Sequence, residues 1–191
     1  PEPDVASLCS RIEYPLLFTN RPVWEGGGYE GMEDRRIEPL LEAVRSQATL
    51  VDLELKTALT YRELVLDEIR NSVTRLIISY HDFKRTPDRE TLDEILLRQV
   101  NSGAHIGKIV TMARDYDDVL NVLHLQSTAK EHDFPLIAFC MGEAGKLSRI
   151  FTLLLGGYMS YGAVDEQQVT APGQLTVRRM RQALAAIRDA G

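Results

Sequence analysis

Six short apolar runs, each separated from the next by a segment of helical period, leave this chain very few folds. They are "PLLFTN" (15–20), "LVDLEL" (50–55), "RLIISY" (75–80), "GKIVTM" (107–112), "PLIAFC" (135–140) and "YMSYGAV" (158–164). Their starts lie 35, 25, 32, 28 and 23 residues apart, close to one strand, one helix and two loops. Segments such as "YRELVLDEIRNS" and "DYDDVLNVLHLQSTAKEHD" supply the helices between them. A repeating strand–helix pattern with buried strands implies a parallel sheet covered by helices.

Helix boundaries are signalled locally. Thr86-Pro87 reads as an N-cap followed by proline at the first helical position. Thr176 reads as the cap of the last helix, "VRRMRQALAAIRDA", and Pro39 as a residue that interrupts or begins a helix in the first unit.

Two α/β architectures compete, a doubly wound open sheet and a barrel. "RPVWEGGGYEG" follows the first strand without the GxGxxG spacing of a dinucleotide loop, so its glycines are expected to serve a mobile loop. Arg21, Glu54, His81, Lys108 and Met141 all sit in or just after a strand. In a (β/α)8 TIM barrel such positions converge on one mouth, which favours the barrel. Six units do not close it, and a full barrel usually needs about 250 residues against the 191 here. The lead-in "PEPDVASLCSRIEY" looks like the tail of a helix from an earlier unit. The expectation is one catalytic barrel domain over 1–191, N-terminally truncated, with its first two strand–helix units missing.

The formal charge of −6 argues against nucleic acid as a partner, because phosphate neutralisation supplies most non-specific affinity. No run reaches the roughly 18 apolar residues of a membrane span. Cys9 and Cys140 have no metal-ligand spacing and read as reduced thiols, as in a cytoplasm.

Lys108 is the least expected residue, standing inside "IGKIVTMA" with no acidic residue within six positions. It shares a pleat face with Val110 and Met112. A lysine that snorkels to water from a strand end explains it; so does a desolvated, neutral amine acting as a Schiff-base nucleophile. The strand alone leaves both open. His81 ends a strand and precedes Asp82, which could orient it or begin a turn. An imidazole facing the amine would serve imine chemistry, but a structural histidine is the alternative. His105, His124 and His132 have no such setting. Arg21 and Glu25 lie just beyond the first strand, as site residues or as a surface ion pair. Arg149, near the start of a helix, could hold a carboxylate or be solvated. Thr170 and Gln174 lie on the loop after the last run, where turn residues are the default.

Together, "LLFTNRPVWEGG", "VDLEL", "IISYHDF", "GKIVTMA", "FCMGEAGKLSRIF", "YGAV" and "APGQL" resemble the type I 3-dehydroquinate dehydratase family, in family order from about residue 15 to the C-terminus. The resemblance implies a (β/α)8 barrel without a cofactor or metal. It implies dehydration of the small molecule 3-dehydroquinate to 3-dehydroshikimate in the shikimate pathway, in a possible homodimer. It makes Lys108 the imine-forming lysine, His81 the general acid/base and Glu25 its partner. Arg149 and Gln174 would bind the substrate carboxylate, with Thr170 where a serine often stands. Arg21 would contact ring hydroxyls, and Met141 and Tyr161 would wall the pocket. The family's first two strands, which add a Glu and an Arg, are not visible. Two other readings stay open: another class I Schiff-base aldolase barrel, and a non-catalytic ligand-binding or regulatory domain of the same ancestry.

Overall fold

The structure is a computed structural model that describes residues 4–188. Five of the six expected strands form: β1 (Leu17–Thr19), β2 (Leu50–Glu54), β3 (Arg75–Asp82), β4 (Ile106–Met112) and β5 (Leu136–Met141). The helices are α1 (Val5–Arg11), α2 (Glu33–Arg45), α3 (Leu59–Ile69), α4 (Arg89–Val100), α5 (Tyr116–Glu131), α6 (Gly142–Gly145), α7 (Ser148–Leu154) and α8 (Val177–Arg188). The sheet is parallel, and its spatial order β1-β2-β3-β4-β5 is the order along the chain. A doubly wound sheet reverses its strand order at a switch point; a barrel does not. The fold class is therefore α/β with the sequential parallel strands of a (β/α)8 barrel.

The chain divides into two compact units, residues 1–80 with 98–107, and residues 81–97 with 108–191. In the first, α2 buries Ile37, Leu40, Leu41, Ala43 and Val44. It runs straight through Pro39, so the proline neither begins nor ends the helix. Burial of the apolar stripe outweighs the roughly 3 kcal/mol of an interior proline. In the second, α5 buries Val119, Val122, Leu125 and Ala129. Asp115 caps it, accepting from the Asp118 amide at 3.0 Å.

Two local expectations are corrected. The Thr86 hydroxyl is paired with the Thr111 hydroxyl at 2.8 Å and with the Met112 carbonyl at 2.9 Å. The cap of α4 passes to Asp88, whose carboxylate accepts from the Thr91 amide at 2.9 Å. Thr176 does cap α8, accepting from the Arg179 amide at 3.3 Å. The sixth run, 158–164, is not a strand. The Tyr158 amide donates to the Leu136 carbonyl at 2.8 Å, and Ala163 bridges the 175–177 segment. Single contacts at its two ends do not make a ladder. Among the described residues, no helix is long and apolar enough to cross a membrane.

Candidate active site

In the first unit, strand register assembles a buried ionic cluster. Parallel pairing sets Thr19 beside Asp52 and Glu54 beside Ser79. Side chains alternate along a strand, so Asp52 and Glu54 share one face of β2. Arg21, two residues past β1, reaches that face. Its Nη2 lies 2.8 Å from Asp52 Oδ2 and its Nη1 2.7 Å from Glu54 Oε1. Glu54 Oε2 is 2.6 Å from Nη1 of Arg36, which comes from α2. Glu25 ends a 3₁₀ turn (Val23–Glu25) and stands 3.7 Å from Arg21 Nη1. The surface reading of Arg21 and Glu25 does not hold: Glu25 is 1% exposed.

Burial and charge together set the protonation of the cluster. Burial pushes the Glu25 carboxyl up to about 8; Arg21 pulls it down, while Glu54 and Asp52 oppose that. Glu54 is also raised, chiefly by burial. For Arg21, burial works against its charge, but Asp52 and Glu54 outweigh it and hold the guanidinium more firmly protonated than usual.

The loop that carries Glu25 is stitched to itself. The Tyr29 amide donates to Arg21 O at 3.1 Å, and the Gly27 amide to Pro22 O at 3.0 Å. A Cβ on Gly27 would lie 2.0 Å from Arg21 O. Close backbone approach is what that glycine provides.

In the second unit, Lys108 projects from β4 at 6% exposure, with Nζ 4.4 Å from the centroid of the Tyr161 ring. The Tyr161 ring lies 6.0 Å from that of Phe139 on β5. The Arg149 guanidinium lies 4.5 Å from the Phe139 ring. Arg149, the second residue of α7, is 1% exposed rather than solvated. Its Nη1 and Nη2 donate to the carbonyls of Tyr161 and Pro172, each at 3.4 Å. Its Nε has no hydrogen-bond partner, and no carboxylate pairs with it among the described residues. Burial lowers its pKa to about 10, so it remains a cation at neutral pH.

The 170–174 loop packs close by. The Gly142 amide donates to Pro172 O at 3.2 Å, and a Cβ on Gly173 (φ +70°) would lie 2.2 Å from Gly142 O. Gln174 Oε1 accepts from the Thr170 amide at 2.8 Å and its hydroxyl at 3.1 Å. Met141 ends β5 fully buried. His81 stacks on Phe83 at 6.4 Å. Asp82 makes a turn, its carboxylate accepting from the amides of Lys84 and Arg85. Cys140 lies buried beside Thr111, its thiol pushed up to about 11 by burial. No cluster of three or more His, Cys, Asp or Glu among the described residues is arranged to hold a metal ion.

The family model described as Type I 3-dehydroquinase matches residues 2–190. The chain belongs to that family. A 3-dehydroquinate dehydratase of Desulfotalea psychrophila is 42% identical over 179 residues, covering 94% of this chain and 79% of that protein. A bifunctional 3-dehydroquinate dehydratase/shikimate dehydrogenase of Arabidopsis thaliana is 38% identical, over 93% of this chain and 29% of its own. The crystal structure of the type I 3-dehydroquinate dehydratase of Clostridium difficile with covalently modified comenic acid superposes with a TM-score of 0.87. It is 29% identical and covers 98% of this chain and 74% of that one. This chain is thus a type I dehydroquinase, an enzyme of the dehydratase class.

Sequence reasoning missed Asp52, Ser79, Arg36 and Phe139 in this dehydroquinase, and noted Glu54 only as a strand-end polar residue. One signal was available. In "VDLEL" two acids stand two residues apart inside a buried strand, which puts both on one face and calls for a cation to meet them.

Proposed function

We propose that the chain dehydrates 3-dehydroquinate to 3-dehydroshikimate through a Schiff base at Lys108, with His81 as the proton carrier. One constellation carries this reading. A buried amine and a buried guanidinium meet a single aromatic pair, Lys108 over Tyr161 and Arg149 over Phe139, and no carboxylate pairs with Arg149 among the described residues. Desolvation disfavours the ammonium form of a lysine and so favours a nucleophilic amine. Arg149 then has a ligand carboxylate as its natural counter-ion.

The steps follow from those roles. Lys108 Nζ adds to the ring ketone and water leaves, forming an iminium that draws electrons from the adjacent C–H bond. His81 takes that proton, and the electron pair forms the new C=C bond as the β-hydroxyl departs. His81 returns its proton to the hydroxyl, which leaves as water. Hydrolysis of the imine restores Lys108 and balances the water lost at its formation. Arg149 and Gln174, with Thr170, hold the carboxylate so that the breaking bonds are aligned. By the resemblance, Glu25 partners His81, Arg21 receives ring hydroxyls, and Met141 and Tyr161 wall the substrate. A cytoplasmic homodimer belongs to the same reading, and light scattering tests the assembly.

Intact mass after incubation with 3-dehydroquinate and sodium borohydride tests the chemistry. Reduction of the imine is expected to leave a stable adduct on the parent chain and none on Lys108→Ala. An unmodified parent that is folded by circular dichroism would overturn the mechanism.

A further inference from the structure

Arg21 carries five N–H donors, and the structure accounts for three. Nη1 gives one to Glu54 Oε1 at 2.7 Å and one to Ser79 Oγ at 2.6 Å. Nη2 gives one to Asp52 Oδ2 at 2.8 Å. The Ser79 hydroxyl donates in turn to Asp52 Oδ1 at 2.6 Å, closing a ring of guanidinium, hydroxyl and carboxylate. The Nε proton and the second Nη2 proton have no partner among the described residues. Arg21 retains 13% side-chain exposure, whereas Asp52, Glu54 and Ser79 are wholly buried.

The ring fixes the guanidinium plane. Asp52 and Ser79 come from neighbouring strands, so neither can shift without the sheet, and Glu54 is anchored from behind by Arg36. Charge is equally constrained. Asp52 and Glu54 together already cancel the cation, and Glu25 adds a third carboxyl. An anion arriving at the two remaining N–H groups meets a neutralised guanidinium backed by carboxylates. A hydroxyl meets two unengaged donors and little electrostatic opposition.

We propose that Asp52 and Ser79 are positioning residues for Arg21: they aim its two spare donors and, with Glu54, neutralise it, so that it receives a neutral ring hydroxyl of the substrate and discriminates against a carboxylate. The role deepens the dehydratase reading and rests on it.

The test compares two substrates in the full chain. One is 3-dehydroquinate; the other is its analogue with hydrogen in place of the two ring hydroxyls that the reaction retains. Asp52→Asn keeps the shape but turns an amide N–H toward either the guanidinium or Ser79. Its kcat/KM on 3-dehydroquinate is expected to fall by about 10- to 100-fold, the cost of misplacing a substrate contact, and on the analogue by less than about threefold. Ser79→Ala removes only a hydroxyl and should show the same contrast more weakly, so a folding failure of Asp52→Asn does not decide the matter. Equal losses on both substrates would make the ring merely structural and overturn the proposal. Borohydride trapping is run alongside: a parent that forms no adduct removes the dehydratase reading and this inference with it. A parent that does form one, with variants that lose activity equally on both substrates, sinks the positioning role alone.

Discussion

Arg36 and Arg149 are both almost completely buried, yet their surroundings are opposite. Arg36 has all five N–H groups engaged: two on Glu33, one on Glu54, one on Thr57 and one on the Asn20 carbonyl. Arg149 has two long bonds to carbonyls, an aromatic face and, among the described residues, no partner for its Nε. A buried guanidinium in the first state is part of what holds its region together. In the second state it costs folding free energy, since its desolvation is hardly offset. A protein can carry that cost where the missing counter-ion is a ligand. The first unit is thus rich in fixed negative charge around its arginines, and the second leaves a cation open.

Arg36→Met is the most direct way to break the comparison. It leaves Glu54 with Arg21 alone and removes the cation beside the partly exposed Glu33, and breaking a buried ion pair costs about 3–5 kcal/mol. Urea unfolding should show a loss of that size, and a change within error would mean charge does not hold the cluster. Arg149→Met should behave in the opposite sense. Its kcat/KM is expected to fall about 10²- to 10³-fold through loss of the carboxylate contact, while the Tm stays level or rises. A marked fall in Tm would make Arg149 structural and erase the contrast.

A pH series sharpens the same point. Glu25 is raised in the folded chain from an ordinary 4.5 to about 8, by burial before anything else. Between those values the folded chain holds a proton that the unfolded chain has released. Its contribution is complete below pH 4.5 and is lost as the pH climbs toward 8. Urea midpoints should therefore decline from pH 5 to pH 8.5, and Glu25→Gln should flatten the decline. An unchanged slope in Glu25→Gln would assign it to other groups. Thr170→Ala should have the smallest effect. Thr170 is exposed and among the described residues bonds only to Gln174, so stability should stay within about 0.5 kcal/mol and KM should rise a few-fold. A larger fall in stability would mean the 170–174 loop is braced through Thr170.

Much of this was legible in one dimension. Strand spacing and helical period marked β1 to β5, because buried parallel strands and amphipathic helices differ in period. Lys108 was conspicuous as a charge inside an apolar run, and it is buried. Other features depended on neighbours distant in sequence. Thr86 and Pro87 have the local chemistry of a cap, but β4 engages the Thr86 hydroxyl and Asp88 takes the role. Pro39 reads as a breaker, yet the helix runs through it because five apolar side chains of α2 are buried. The 158–164 run has strand composition, and composition cannot supply a ladder.

The amino-acid order by itself determined the α/β class, the strands' places and the residue types available for chemistry, since these follow from local periodicity and side-chain identity. Only the tertiary structure decided which charges meet. Arg21, Asp52, Glu54 and Ser79 are spread across 58 positions, and parallel register alone brings them within hydrogen-bond reach. The same holds for Arg149. Its sequence neighbours allow a solvated helix arginine, and its burial against Phe139, with no carboxylate paired to it among the described residues, is a property of packing. Electrostatic roles are set by distance and desolvation in space, and neither is a function of spacing along the chain.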